Sequence, residues 1–299
     1  MSQREQWIDI GKGIAIILMV VGHTSIPSVL SNFIWAFHMP FFFIVSGWIT
    51  HWDKTSVKEF IIRRSKSLLI PFIVYSIIVL ALYSQLGINK WLDVVRHGWG
   101  GYALWFIPVL FVASLIAKLV MFQKGVSLVW AIVILIAIGA IFRYFHVALP
   151  WTLSTVPYAT ALVLIGSYAS SRVVFKNTAI SFFVGFILTL VISRFWRLDM
   201  AANQIVPVIP LSIGALSGTM MLLSFSKIIE KYSSLLTRAL SSIGRETYVI
   251  MAFSQIIILC LNHYTTWNSA LRYAVLIIVL FIISFLKNRF NHLIGKKVL

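Results

Sequence analysis

About ten long apolar runs, separated by short polar connections, constrain the fold of this chain more than any other feature. A helix needs about 20 mostly apolar residues to cross the hydrocarbon core of a bilayer. No connection between the runs is long enough to fold independently. The sequence therefore predicts an all-α polytopic membrane helix bundle of about ten transmembrane helices, in which residues 1–299 form a single domain. The predicted spans are 7–26, 32–50, 67–86, 102–122, 126–144, 151–169, 178–196, 205–223, 243–262 and 268–286.

The composition excludes an ordinary soluble domain. Hydrophobic residues make up 60% of the chain and charged residues 11%, whereas about a quarter of a typical soluble chain is charged. The formal net charge of +17, from 25 Lys and Arg against 8 Asp and Glu, would suggest nucleic-acid binding in a soluble protein. Here the basic residues lie between the apolar runs, so we expect contact with membrane lipid and no nucleic-acid partner.

The distribution of positive charge predicts an orientation. Most Lys and Arg residues lie near the ends of the chain and in alternate connections, which the positive-inside rule assigns to the cytoplasm. We therefore predict a multi-pass protein of the cell (cytoplasmic or inner) membrane with both termini cytoplasmic. The single cysteine, Cys260, excludes an intrachain disulfide and a cysteine cluster, and we expect no metal. The oligomeric state cannot be derived from the pattern.

The first predicted span carries three ionisable residues, Asp9, Lys12 and His23. Such groups are costly inside a membrane and are therefore functional candidates. Lys12 and His23 are eleven residues apart, which places them on nearly the same helix face and about 16 Å apart along the axis. Asp9 lies one turn before Lys12 and could pair with it. A structural alternative for His23 is a simple hydrogen bond at the outer interface.

The second predicted span contains His38, followed directly by Met39 and Pro40. A polar side chain therefore lies next to a bend in the chain. His38 is either a packing residue of the bundle or part of a functional site. Ser46 and Gly47 follow in the same span, and small residues of this kind allow membrane helices to approach closely.

The connection between the second and third spans ends in a basic segment, RRSKS, which contains Arg63, Arg64 and Lys66. Such clusters commonly set topology and attract anionic lipid. The alternative is a clamp for the phosphates of a cytosolic donor, because the arginine guanidinium presents a fork that matches phosphate.

Several motifs together resemble the acyltransferase-3 family of membrane acyltransferases, and most closely its fucose 4-O-acetylase-like branch. They cover most of the chain: Lys12 and His23 with ten residues between them, FHMPFFFIVSG at 37–47, RRSKSLLIPF at 63–72, LWFIP at 104–108, LPW at 149–151 and IGRETYVI at 243–250. The resemblance implies transfer of an acyl group, usually acetyl, from cytosolic acyl-CoA to a hydroxyl of a cell-surface glycan or lipid-linked sugar.

The resemblance also implies roles for particular residues. His23 matches the essential histidine of the family and is the predicted catalytic residue, acting as a base or as a transient acyl carrier. Lys12, Arg63 and Arg64 match positions expected to bind acyl-CoA, and Asp9 and His38 are supporting candidates, His38 as an orienting group or hydrogen-bond donor.

Two positions depart from the family pattern. Lys12 replaces a residue that is commonly arginine, which keeps the charge but loses the guanidinium fork. Ser254 stands where relatives often carry a second histidine, so a role of that histidine does not transfer to this chain.

Two other classes of function also fit the membrane pattern. Intramembrane histidine and lysine residues suit a polytopic transporter or exporter of a saccharide or small amphiphile. A transporter would move its substrate without consuming acyl-CoA, whereas an acyltransferase would release free CoA. A scaffold protein of a polysaccharide-synthesis complex is the third possibility.

Overall fold

The computed structural model describes residues 5–24, 26–99, 102–123, 125, 127–172 and 177–293. The described residues form helices joined by short loops, with one isolated β-bridge between Asp199 and Gln204. The helices are α1 Gln6–Gly22, α2 Ser28–Trp35, α3 His38–Ile49, α4 Val57–Arg64, α5 Ile70–Gln85, α6 Trp91–His97, α7 Phe106–Phe122, α8 Leu128–Tyr144, α9 Val156–Ser170, α10 Thr178–Phe195, α11 Val208–Tyr232, α12 Ser234–Arg245, α13 Thr247–Tyr264 and α14 Ser269–Leu293. Short 3₁₀ turns cover Trp52–Lys54, Ala103–Trp105 and Pro150–Thr155, and a π-helical turn at Ser65–Leu69 joins α4 to α5.

The all-α prediction is confirmed, and the chain is a multi-pass membrane protein. Six segments in the described part of the chain are long and apolar enough to cross a membrane: Ser28–Ile49, Val57–Gln85, Ala103–Phe122, Thr178–Phe195, Val208–Tyr232 and Thr247–Tyr264. The other four predicted spans coincide with α1, α8, α9 and α14. The count of ten spans and the cytoplasmic position of both termini stay predictions.

Several helix boundaries differ from the predicted spans, most clearly at the end of α11 and between α12 and α13. Helix α11 continues to Tyr232, nine residues past the predicted end at 223, because its final turns carry charged residues that a hydropathy criterion excludes. The predicted span 243–262 includes a break at Glu246, which separates the amphipathic α12 from the apolar α13.

Helix α3 lies at the centre of the bundle, where it packs against α9, α11 and α1. Its first residues, from His38 to Phe41, are buried, as are most of those that follow. Helices α10 and α14 lie at the periphery and expose large apolar side chains such as Phe183, Ile187 and Phe281. In a bilayer these faces contact lipid, since acyl chains solvate apolar side chains as a protein core does.

Two glycines bring α3 and α9 into direct backbone contact. A Cβ added at Gly47 would lie 1.8 Å from the Val163 carbonyl oxygen, and one at Gly166 would lie 1.9 Å from the Ile44 carbonyl oxygen. Only glycine permits so close an approach, so the predicted packing role of Gly47 is confirmed. Gly13 and Gly244 form an equivalent reciprocal crossing between α1 and α12.

The connection from α3 to α4 is held by a buried cation. Lys118 of α7 is 3% exposed, and its Nζ donates hydrogen bonds to the backbone carbonyls of Trp52 and Thr55. Removing a charge from water is costly unless hydrogen bonds compensate it. These two bonds therefore tie the connection that precedes Arg63 and Arg64 to the bundle.

Candidate active site

A cavity of about 230 Å³ lies at one end of the bundle and is lined by both histidines singled out in the sequence, His23 and His38. Four segments enclose it: the end of α1, the junction of α2 with α3, the 3₁₀ turn at Ala103–Trp105, and the loop at 198–202 that follows α10. We call this end of the molecule the cavity end. The cavity joins residues that are far apart in the chain, so it depends on the complete fold.

His38 is positioned by the break between α2 and α3. Phe37, with φ −138° and ψ −19°, interrupts the helix, and α3 begins at His38. Pro40 lies in the first turn of α3, where its missing N–H would have no intrahelical acceptor. The ring of His38 turns back so that Nδ1 lies 2.9 Å from the carbonyl oxygen of Ile34. The side chain is 3% exposed, so it is buried while lining the cavity.

His23 lies directly after the last residue of α1 and contacts α13 through a glutamine. Its Nδ1 is 3.4 Å from Nε2 of Gln255. The other end of the same amide, Oε1, accepts a hydrogen bond of 2.7 Å from the backbone N–H of Ala103. Gln255 therefore connects His23 to the wall of the cavity.

Trp35 lies between the two histidines. Its ring makes edge contacts with both, with 5.5 Å between the ring centroids in each case, and its Nε1 donates to the carbonyl oxygen of Gly22. The guanidinium of Arg197 lies 4.0 Å from the centroid of the same indole. The imidazoles are thus held by aromatic packing as well as by hydrogen bonds.

The loop that follows α10 closes the cavity with its own internal bonds. The backbones of Asp199 and Gln204 exchange two hydrogen bonds of 3.1 and 2.7 Å, and a carboxylate oxygen of Asp199 accepts from the N–H of Ala202. Leu198 and Met200 are buried. Asp199 itself lines the cavity.

The basic residues predicted to bind acyl-CoA lie at the opposite end, which we call the basic end (Lys12, Arg63 and Arg64). Arg64 is partly buried and donates to Thr50 Oγ1 at 2.8 Å and to Ser46 Oγ at 3.4 Å. Thr50 is twelve residues after His38, or about 18 Å along a helix. Lys12 pairs with Asp9 at 2.6 Å, as the spacing predicted.

Arg63 and Arg64 have different surroundings although they are adjacent. Arg63 is exposed and pairs with Glu59 one turn earlier on α4. Neighbouring residues of a helix point about 100° apart, so only one of the two can face the bundle. Arg64 is that residue.

The family of the chain is established by a comparison over nearly its whole length. A family model described as an acyltransferase domain, of the acyltransferase-3 type, matches residues 5–289. The chain belongs to the acyltransferase-3 family. No curated protein and no solved structure matches it significantly.

The acyltransferase-3 assignment gives the cavity a chemical context. Of the sequence candidates, the structure brings His23 and His38 together at the cavity end. Lys12, Arg63 and Arg64 do not line the cavity, and their roles stay predictions. The sequence reasoning missed Gln255 and Trp35, although a glutamine inside an apolar span was a usable signal.

Proposed function

We propose that this membrane acyltransferase moves an acyl group, acetyl in the simplest case, from cytosolic acyl-CoA to a hydroxyl of a cell-surface glycan or lipid-linked sugar. The observation that supports this most is the pair of imidazoles, His23 and His38, in one cavity of an acyltransferase domain. Acylation of a hydroxyl needs a group to accept its proton and a donor for the developing oxyanion. Two imidazoles provide both kinds of group.

The donor enters from the basic end in this proposal. Arg64 is suited to a phosphate of CoA because its guanidinium donates to two neutral hydroxyl groups, those of Thr50 and Ser46, which a phosphate oxygen can replace. Lys12, already paired with Asp9, adds positive charge to the same end. Arg63 contributes less to donor binding than Arg64, since its pair with Glu59 is exposed to solvent.

The acceptor enters from the cavity end. The basic end is predicted to be cytoplasmic, which places the cavity toward the outer leaflet, where glycans and lipid-linked sugars are found. The tryptophans that line the cavity, Trp35 and Trp105, offer apolar faces against which a sugar ring can pack. The family match favours an enzyme over the transporter, and no feature of the cavity argues specifically for transport.

The proposed function is tested by acyl transfer in proteoliposomes. We expect purified protein to release free CoA from acetyl-CoA when a lipid-linked sugar is supplied, and the variant His23→Ala to lose this activity while still being inserted. A matched control is His97→Ala, because His97 is exposed and pairs with Asp93 on α6, outside the cavity lining. Wild-type turnover by His23→Ala would remove His23 from the mechanism. Transport of the sugar without CoA release would support the exporter.

The donor site is tested by a pair of adjacent arginines. We expect Arg64→Ala to raise the KM for acyl-CoA about tenfold or more, since charge-assisted contacts to phosphate contribute about 1.5–3 kcal/mol. Arg63→Ala is the matched control and should change it little, because its side chain is exposed. An unchanged KM in Arg64→Ala would assign Arg64 to topology alone, whereas an equal rise in both variants would add Arg63 to the donor site.

A further inference from the structure

The amide of Gln255 has only one orientation that satisfies its neighbours. The backbone N–H of Ala103 can only donate, and it lies 2.7 Å from one end of the amide. That end must therefore be the oxygen, and the other end must be the NH₂ group. The NH₂ group lies 3.4 Å from Nδ1 of His23. An amide NH₂ acts as a donor only.

This contact determines the tautomer of His23. Because Nδ1 accepts from Gln255, it cannot carry the proton of the neutral ring, which must reside on Nε2. His23 therefore presents an N–H group at Nε2. The described part of the chain supplies no hydrogen-bond partner for that atom.

A second contact determines the opposite tautomer for His38. A backbone carbonyl can only accept a hydrogen bond, and the carbonyl oxygen of Ile34 lies 2.9 Å from Nδ1 of His38. Nδ1 therefore carries the proton, and Nε2 of the neutral ring has the free lone pair. Within the described residues that atom also has no partner in the protein. The cavity thus contains one imidazole that donates and one that accepts.

We propose that His38 is the general base of the reaction and that His23 donates from Nε2–H to the oxyanion, with Gln255 as the residue that positions His23. This division of roles rests on the proposed function. It reverses the sequence-based assignment, in which His23 was the base or a transient acyl carrier and His38 an orienting group or hydrogen-bond donor.

The transfer then proceeds in two balanced steps. In the first step, the acceptor hydroxyl gives its proton to Nε2 of His38 while its oxygen bonds to the thioester carbonyl carbon. The electron pair of the carbonyl double bond moves onto the carbonyl oxygen, and the Nε2–H of His23 donates a hydrogen bond to this oxyanion. The intermediate then collapses, the carbon–sulfur bond breaks, and the leaving CoA thiolate takes the proton back from His38. The products are the ester and free CoA. The carbonyl of Ile34 stabilises the transient imidazolium of His38 by accepting from Nδ1.

The opposite assignment, with His23 as the base and His38 as the donor, requires both the Gln255–His23 and the Ile34–His38 hydrogen bonds to be broken. For Nε2 of His23 to act as a base, the neutral ring must carry its proton on Nδ1, directly opposite the NH₂ group of Gln255. For His38 to donate from Nε2 as a neutral ring, its Nδ1 would have to present a lone pair to the Ile34 carbonyl oxygen. Both arrangements bring like partial charges together.

Glutamine substitutions separate the two roles, because a glutamine amide can donate a hydrogen bond but cannot act as a base. We expect His23→Gln to retain at least about tenfold more kcat than His23→Ala, since the amide NH₂ replaces the lost donor. We expect His38→Gln to be as inactive as His38→Ala, with a loss of about 10²–10⁴ in kcat, the usual contribution of a general base. Gln255→Leu should lower kcat and leave the KM for acyl-CoA unchanged.

A spectroscopic measurement tests the same inference without depending on activity. ¹⁵N NMR of histidine-labelled wild-type protein in lipid nanodiscs reports which ring nitrogen carries the proton, with His23→Ala and His38→Ala used to assign the signals. We expect an Nε2–H ring for His23, an Nδ1–H ring for His38, and loss of the His23 preference in Gln255→Leu.

Each outcome has a separate meaning. Equal losses of kcat in His23→Gln and His38→Gln, or a larger loss in His23→Gln, would overturn the division of roles. NMR signals of the opposite tautomers would overturn it as well. Absence of CoA release by the wild-type protein would instead reject the proposed function, and the tautomers would still be readable.

Discussion

The crossing of α3 and α9 should not tolerate a single added methyl group. Gly166→Ala would place a Cβ 1.9 Å from the Ile44 carbonyl oxygen. Real Cβ atoms essentially never approach another heavy atom more closely than 3.0 Å, so the overlap exceeds 1 Å. The obstacle is backbone, so no side-chain rotation relieves the clash. The two helices must separate, which weakens packing along the whole crossing.

The size and the sign of the effect follow from two opposing terms. Alanine gains roughly 0.5–1 kcal/mol over glycine in a helix interior, whereas overpacking of a close-packed site costs about 1–3 kcal/mol or more. At Gly166 the clash dominates, and we expect a net loss of stability. At Gly139 an added Cβ would lie 3.1 Å from the tip of the Ile205 side chain, 3.3 Å from Tyr158 Cβ and 3.4 Å from the Tyr158 backbone nitrogen. These contacts are tight but do not overlap, so Gly139→Ala should cost much less stability than Gly166→Ala.

Thermal unfolding of the two purified variants in the same detergent measures this difference. We expect a clearly lower midpoint for Gly166→Ala and a much smaller change for Gly139→Ala. Activity of Gly166→Ala should also fall, because α3 carries His38 at the cavity. Equal midpoints for the two variants would refute the reasoning that this crossing depends on direct backbone contact.

Two further predictions concern the α3–α4 connection and the orientation. Lys118→Met should lower the unfolding midpoint, because it leaves two carbonyls of that connection without their donor, at a cost of about 1–3 kcal/mol each. Lys58→Met, at an exposed position, is the control. A midpoint of Lys118→Met equal to that of the wild-type protein would contradict the prediction. In a Cys260→Ser background, a membrane-impermeant maleimide on intact cells should label Asn89→Cys but not Arg238→Cys, and the reverse pattern would contradict the predicted orientation.

The helical bundle was predictable because hydropathy alone determines where a chain can cross a bilayer. The exact helix ends were not, because charged residues continue a helix beyond the apolar region without changing its backbone. Helix α11 shows this at Lys227–Tyr232, where Lys231 and Glu230 extend the helix past the apolar window. The break at Glu246, between Arg245 and Thr247, is also invisible to a window average, since the long apolar run of α13 dominates the window.

The histidines of the site were predictable from polarity in an apolar context, but their hydrogen-bond partners were not. Gln255 lies 232 positions after His23, and only the packing of α13 near α1 brings them together. The Ile34 carbonyl is a backbone atom, which no composition signal reveals. The different environments of Arg63 and Arg64 could have been derived from helix geometry, since adjacent residues cannot share a face.

The spacing of the two ends constrains the kind of donor that the bundle can use. Thr50, which accepts a hydrogen bond from Arg64, follows the end of α3 and lies about 18 Å from His38 along the axis of that helix. Lys12 lies about 16 Å from His23 along α1. In the proposed function, a donor held by its phosphates at the basic end reaches the imidazoles only through a long arm. Acyl phosphates lack such an arm, whereas acyl-CoA carries its thioester at the end of the pantetheine chain, so the proposed CoA thioester fits this spacing.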